Sequence, residues 1–146
     1  MKVDPIITRV RQQDSGNYWG ASGSRRVYGA ADLAGVEAAF DGVVTPSAFI
    51  YLTDDSVDEE ITGQGQQLNI DERFDIVVVL DNTADPRGHG AVNESQDARD
   101  NLIAALHGWE PGSGNEAVRY QGGTLASFDA SKLLWVFTFE TTRVVQ

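Results

Sequence analysis

Hydrophobic residues at helical spacing mark three segments of the chain. In each segment apolar side chains recur every three or four residues, which places them on one face of a helix. The three stripes are Val3, Ile7 and Val10; Leu33, Val36 and Phe40; and Ala98, Leu102, Ala105 and Leu106. Asp4-Pro5 fits a helix start, while Gly108 and Pro111 fit a helix end. We therefore predict three helices, the second ending at Asp41-Gly42 and the third starting near residue 93.

Alternating and dense apolar runs mark the strands. A short strand at residues 26–28 precedes an apolar run of strand length at residues 48–52. The strongest strand places one apolar set on a single face, interrupted only by Glu72: Leu68, Ile70, Phe74, Ile76, Val78 and Leu80. Its other face is first polar and then apolar: Asn69, Asp71, Arg73 and Asp75, then Val77 and Val79. Such a strand should enter the core partway along and project its polar half outward.

A glycine-broken hairpin closes the chain. One face of its last strand carries Leu133, Trp135, Phe137 and Phe139, and the other carries Leu134, Val136, Thr138 and Glu140. The predicted order is helix, short strand, helix, two strands, helix, two strands. Since hairpins imply mostly antiparallel pairing, we predict an α+β fold of about four to five strands packed against two to three helices. The length favours one domain over residues 1–146.

Composition excludes several classes of function. With no cysteine, disulfides, thiolate metal sites and cysteine nucleophiles are ruled out. A net charge of −11 argues against a surface that tracks nucleic-acid phosphates. The chain also has no apolar run of membrane-spanning length and no signal-peptide core, so we expect no membrane partner. The acid excess has two open interpretations: self-repulsion that limits aggregation, or an acidic wall past which DNA slides.

No pattern in the chain requires catalytic chemistry. His89 lies in a polar loop predicted at residues 81–90, and His107 lies where a charge would favour a helix end. Neither belongs to a zinc motif, and the acidic run at residues 54–60 lacks the glycine of a calcium loop. We therefore predict no catalytic, cofactor-binding or metal-binding residue. One enzymatic alternative stays open, a small acidic metal-dependent hydrolase, if Asp71, Asp75 and Asp81 converge in a cleft.

Several polar or exposed segments are candidate contact surfaces. Trp19 lies in a loop rich in Gly, Ser and Asn, where it either pins the loop to the core or contacts another chain. Arg25-Arg26, with Arg9 and Arg11 upstream, forms either surface salt bridges or a contact between subunits. The candidate interface residues are Trp19, Arg25, Arg26, Asp54, Asp55, Asp58, Glu59, Glu60, Asp71, Arg73 and Arg87.

Several motifs, in order and spacing, resemble one known family. They are Arg26-Val27 with Gly29-Ala30-Ala31-Asp32-Leu33-Ala34, Pro46-Ser47-Ala48-Phe49-Ile50, Glu72-Arg73-Phe74-Asp75-Ile76-Val77-Val78-Val79, Leu106-His107-Gly108-Trp109-Glu110-Pro111, Gly122-Gly123-Thr124-Leu125, and the closing Trp135, Phe137 and Phe139. This arrangement is similar to the tail terminator proteins of tailed bacteriophages, including Mu-like members. The acidic run and the loop at residues 14–23 are less typical of that family.

The resemblance implies a structural protein without a cofactor. It implies a homo-hexameric ring at the head-proximal end of the tail tube, assembled in the host cytoplasm and retained in the virion. Such a ring would stop tube polymerisation and offer a surface to the head or neck. Its expected partners are itself, the tail tube protein, and the tail sheath and neck or head-completion proteins, while DNA passes through the lumen without sequence-specific binding. A head-completion or neck ring is the nearest alternative.

Overall fold

The chain forms helices and strands in the order expected for an α+β fold. The structure is a computed structural model that describes residues 1–20, 26–39, 44–62, 65–81, 89–128 and 132–145. Its elements are α1 (Val3–Gln12), a short 3-10 turn (Ser15–Asn17), β1 (Val27–Gly29), α2 (Leu33–Ala39), β2 (Ser47–Thr62), β3 (Gly65–Asp81), α3 (His89–Leu106), β4 (Arg119–Phe128) and β5 (Lys132–Val145). The predicted order and fold class are confirmed.

The five strands form one sheet in the order β1-β2-β3-β5-β4. Only β1 and β2 are parallel, and they pair over a short stretch, Val27–Gly29 against Ala48–Ile50. The other neighbours are antiparallel. β2 and β3 form a long hairpin with an irregularity between Leu52 and Asp54. β5 runs along almost the whole of β3, so the predicted projecting half of β3 is paired on both sides over much of its length.

The side of the sheet covered by α1 and α3 carries the main core, and we call it the helix face. It receives one alternate set of side chains from β3 and one from β5, as the sequence predicts: Phe74, Ile76, Val78, Leu80, Leu133, Phe137 and Phe139. Phe74 and Phe139 stack with ring centroids 5.6 Å apart. From the helices, buried side chains such as Ile6, Val10 and Leu102 pack against this layer. Burial of this apolar set is the main stabilising term of the fold.

The opposite side of the sheet, the open face, is covered at one end only. There Val36 of α2 is fully buried over a smaller apolar cluster, with Leu33 packed beside it. The strand residues of this cluster are Phe49, Tyr51, Val77, Val79, Leu134 and Val136. A strand presents alternate residues to opposite faces, so β3 contributes to both layers where it is apolar throughout. The switch at Val77 confirms that β3 enters the core partway along.

The third helix begins earlier than its sequence predicted. It starts at His89, so His89 is a helical residue and its assignment to the loop is wrong. Gly90 is tolerated because it lies in the first turn, and buried Ala91 holds that turn against the core. At the other end Gly108 has φ of 85°, a left-handed conformation that suits the predicted helix stop. The predicted end of α2 and most of the predicted loop, residues 40–43 and 82–88, lie outside the described residues.

In the described part of the chain, no helix is both long enough and apolar enough to cross a membrane.

Candidate functional site

The open face beyond α2 carries a continuous row of polar side chains, which we call the polar ladder. β3 supplies Asp71, Arg73 and Asp75, and β5 supplies the residues directly opposite: Thr142, Glu140 and Thr138. Sequence periodicity already put the β3 residues on one face. The pairing of β3 with β5 supplies their partners, and this pairing is a property of the tertiary fold.

Asp75 lies at the inner end of the polar ladder, beside the apolar cluster under α2. Thr138 Oγ1 donates a hydrogen bond of 2.7 Å to Asp75 Oδ1. The hydroxyl of Tyr51 donates a longer one, 3.3 Å, to Asp75 Oδ2. Both carboxylate oxygens therefore have partners, which offsets the cost of placing this group next to apolar side chains.

Two arginines share one carboxylate at the centre of the polar ladder. Arg73 Nε lies 2.7 Å from Glu140 Oε2, and Arg119 Nη2 lies 2.8 Å from Glu140 Oε1. Arg73 also reaches Asp54 of β2, with Nη1 2.9 Å from Oδ2. The Glu140 carboxylate is the main cause that raises the pKa of the Arg73 guanidinium. Side chains thus bridge β2, β3, β5 and β4 across the open face.

At the outer end of the polar ladder the carboxylate again has a hydroxyl group as its partner. Thr142 Oγ1 donates to Asp71 Oδ1 at 2.6 Å, and Arg119 Nη2 donates to Thr142 Oγ1 at 3.2 Å. Each of these acids has a hydroxyl or a guanidinium as a neighbour. The polar ladder is thus a charged surface whose side chains are held in place by hydrogen bonds and ion pairs.

The candidate interface residues of the hairpin divide between the two faces. Asp71 and Arg73 lie in the polar ladder, and Asp54 of β2 pairs with Arg73 on the same open face. Asp55 pairs with Glu72 and is therefore on the helix face. The acidic run is consequently not one cluster, since neighbouring residues of a strand point to opposite sides. The side chains of Asp58, Glu59 and Glu60, and all of Arg25 and Arg87, lie outside the described residues.

Trp19 belongs to the core and not to the exposed surface. It is fully buried, and its Nε1 donates to Asn101 Oδ1 of α3 at 2.8 Å. The carboxylate of Asp14 accepts the backbone N–H of both Tyr18 and Trp19 at 2.9 Å. Of the two alternatives for Trp19, pinning the loop to the core is therefore correct, and its assignment as an interface residue is wrong for this side chain.

The arginines of α1 and the one just before β1 connect different elements of the fold, a role that the sequence pattern did not indicate. Arg9 Nε donates to the carbonyl of Ala105 at 2.8 Å, and Arg11 Nη2 donates to that of Val27 at 2.6 Å. Arg26 Nε donates to the carbonyl of Pro46 at 2.7 Å. These bonds fasten α1 to α3 and β1, and the start of β1 to the segment before β2. An interface role for Arg26 stays a prediction.

The three carboxylates of the hydrolase alternative do not converge. Asp71, Asp75 and Asp81 follow one another along β3. A strand rises about 3.3 Å per residue, so their backbones are separated by roughly 13 Å and 20 Å. Among the residues that the structure describes, no group of three or more potential metal ligands comes together. This grouping therefore lacks the cleft that the alternative needs.

Glu72 is a polar residue whose surroundings the sequence did not reveal. It interrupts the apolar stripe of β3 and is 4% exposed. Its Oε2 lies 2.5 Å from the amino group of Met1, while Oε1 has no hydrogen-bond partner among the described residues. It borders a cavity of about 310 Å³ that also includes Pro111 and Arg143. The interruption of the apolar stripe of β3 was the sequence signal for Glu72, but the sequence did not indicate that the amino group of Met1 is its partner.

Comparison with known proteins agrees with this architecture. The family model described as phage tail terminator protein matches residues 2–146. A chain in the solved structure of the virion of a native gene transfer agent particle is 16% identical, with a TM-score of 0.55 over 95% of this chain and 94% of that chain. At this identity the likeness shows a shared fold. A search of the curated proteins finds no match.

The family match covers nearly the whole chain and agrees with the resemblance carried by the motifs at residues 26–34, 46–50, 72–79 and 106–139. Its members are structural proteins of phage tails, and the fold is shared with a virion chain. This chain therefore belongs to the phage tail terminator protein family.

Proposed function

We propose that this chain, as one domain, forms a homo-hexameric ring at the head-proximal end of a phage tail tube. The ring stops polymerisation of the tube and provides the surface to which the head or neck attaches. Its role is structural and not catalytic. The observation that carries this proposal is the family match over residues 2–146.

The geometry of the sheet is compatible with a ring. A ring needs two different surfaces on each copy, since each contact joins one surface to another on the next copy. Interfaces in permanent assemblies often bury about 2,000 Å² or more. The polar ladder and the long β2–β3 hairpin are extended surfaces of this kind. They include the candidate interface residues Asp54, Asp71 and Arg73.

The proposed partners follow from this position. The ring contacts further copies of itself, the tail tube protein, and the sheath and neck or head-completion proteins. Assembly takes place in the host cytoplasm, and the ring is kept in the virion. DNA passes through the lumen without sequence-specific contacts, which suits a chain with a net charge of −11.

Only part of the acidic run can line that lumen. Asp54 is on the open face and Asp55 on the helix face, so a single lumen-facing side of the sheet displays one of them. A high-resolution reconstruction of an assembled ring with Asp54, Asp58 and Glu60 all on the outer rim would contradict an acidic lumen built from this run.

The direct test adds purified protein to growing tail tubes and measures tube length by electron microscopy. We expect capped ends and a halt to elongation, with the effect saturating once each tube end has a ring. An acidic protein of similar size at the same concentration controls for charge alone. Elongation that continues unchanged would contradict the proposal, while rings bound to the head vertex and absent from tube ends would favour the neck alternative.

Ring size is tested separately by mass photometry of the 15.8 kDa chain across a range of concentrations. We expect a species containing six copies. A species with another fixed number of three or more copies would contradict the hexamer without contradicting a ring, whereas a protein that stays a monomer or a dimer would contradict both.

A further inference from the structure

The two outer edges of the sheet differ sharply in charge. β4 forms one edge, and residues 120–128 contain no charged side chain. β2 forms the other edge beyond its short pairing with β1, and five of its residues between positions 54 and 60 are acidic. An exposed strand edge presents unpaired N–H and C=O groups, and charges on it discourage pairing with another chain. The acidic residues of β2 therefore disfavour pairing with a strand of the same charge, while β4 carries no acidic residue.

Both edges are long enough to pair. β4 has ten residues, and within the described chain no further strand pairs with its outer side. β1 covers β2 only at Ala48–Ile50, which leaves residues 52–62 of β2 beyond it. A strand of ten residues therefore fits along the remaining part of β2.

Exposed apolar side chains occur on the same face of both edges. On β4, Leu125 is 46% exposed; on β2, Leu52 is 40% and Val57 is 60% exposed. Their cross-strand partners Trp135, Phe74 and Ile70 place all three on the helix face. Three of the six large exposed hydrophobic residues in the described chain are thus located where two copies would meet if their sheets were joined.

We propose that β4 of one copy pairs with residues 52–62 of β2 in a second copy, so that the sheet continues from copy to copy. This inference rests on the proposed ring, and it names the edge through which the ring is built. In one chain β2 and β4 run in opposite directions, because each of the three pairings between β2, β3, β5 and β4 is antiparallel. Rotation around a ring axis keeps the component of each strand along that axis, so strands that run along the axis meet antiparallel at the joint between copies as well.

The charges favour pairing of β4 with β2 over the two symmetric pairings, which are β2 with β2 and β4 with β4. Pairing of β2 with β2 would place acidic residues against acidic residues, which is unfavourable for directly opposite like charges. Pairing of β4 with β4 meets no repulsion, but it uses the same edge on both copies and closes a dimer. Only β4 against β2 joins two different edges and brings a strand without acidic residues, whose single charged residue is Arg119, to the acidic one.

The first test uses the sign of a single charge. Leu125→Glu places an acid among the acids of β2 and should raise the concentration at which half the protein is assembled by about fivefold or more. Leu125→Lys should leave that concentration within about twofold of the parent. Val92→Glu alters a residue of similar exposure, 39%, on α3 and serves as the matched control.

Each outcome of this test decides the proposal. Equal losses from Leu125→Glu and Leu125→Lys would indicate β4 against β4, where either charge faces itself, and would overturn it. Rings from all variants at the parent's concentration would leave the proposed ring intact and overturn the β4 joint. A parent that never assembles at any concentration would overturn both.

The second test is a disulfide between copies, which is clean because the chain has no cysteine. The double variants combine Leu125→Cys with Asp55→Cys or with Val57→Cys. Within one copy β2 and β4 are separated by β3 and β5, about 14 Å, beyond the reach of a disulfide. Oxidation should give a ladder of covalent multimers ending at the ring. Covalent dimers from Leu125→Cys alone would overturn the proposal. So would the absence of covalent multimers in both double variants if these variants still form rings.

Discussion

The helix face and the open face of the sheet use the same strands for different purposes. Phe74 and Arg73 are neighbours on β3, yet Phe74 is fully buried under the helices and Arg73 lies in the polar ladder, bridging Glu140 and Asp54. The helix face is a packed apolar layer, while the open face is apolar only under α2 and polar beyond it. Most of the apolar burial that stabilises the fold is therefore on the helix face, while the open face beyond α2 is available for contacts with partners.

The largest expected effect is on the helix face. Phe74→Ala should lower the free energy of unfolding by about 3–5 kcal/mol, because it removes a buried ring that stacks on Phe139 and leaves a cavity. Urea denaturation followed by tryptophan fluorescence measures this. Phe74→Leu is the matched variant and should cost clearly less. A loss below about 1 kcal/mol for Phe74→Ala would contradict the assignment of the core to this face.

An intermediate effect is expected where β4 packs against β5. A Cβ added at Gly123 would lie 2.7 Å from Cδ1 of Phe137 and 2.9 Å from Nε1 of Trp135. Gly123→Val should therefore lower the free energy of unfolding by about 1–3 kcal/mol through overpacking. Thr124→Val, at the next and exposed position, should be nearly neutral. Equal stability of the two variants in thermal unfolding would show that β4 adjusts freely and is not held by this contact.

The smallest effect is expected in the polar ladder. Arg73→Ala should cost only about 0–1 kcal/mol, since the Arg73–Asp54 pair is substantially exposed and Glu140 keeps Arg119 as a partner. The difference from the parent should shrink further in 1 M salt. Arg73→Lys is the control that keeps the charge. A cost above about 2 kcal/mol, insensitive to salt, would remove the contrast between the two faces.

Periodicity in the sequence predicted most of the fold. The alternation along β3 correctly separated Phe74 from Val77, and that along β5 separated Phe137 from Val136, onto opposite faces of each strand. This works because a strand reverses the direction of its side chains at every residue, so a local pattern carries the burial pattern with it. The helix end at Gly108 was equally local, because a left-handed residue after the last turn is a property of glycine itself.

Predictions that depended on long-range contacts were weaker. The start of α3 moved to His89 because Ala91 packs into the core, a contact that local propensity does not encode. The sequence did not decide whether Trp19 packs into the core or contacts another chain, because its partners, Asp14 and Asn101, are brought together only by the fold. Arg9 and Arg11 looked like surface charges, but they donate to carbonyls on other elements.

The candidate site was predictable only in part. The sequence placed Asp71, Arg73 and Asp75 on one strand face, and that placement is confirmed. It did not reveal that Thr142, Glu140 and Thr138 lie opposite them. It also treated Asp54 and Asp55 as one acidic run, whereas the strand separates them onto opposite faces.

The sequence by itself determined the helices, the strands and the alternation of their side chains, and its motifs indicated the tail terminator family. These features are local, because each depends on residues within a few positions of one another. Only the tertiary structure decided the order β1-β2-β3-β5-β4, which places β5 between β3 and β4 and leaves β4 and the part of β2 beyond β1 at the edges. Strand order depends on contacts between residues far apart in the chain, and those contacts form the polar ladder and separate an acidic edge from one without acidic residues.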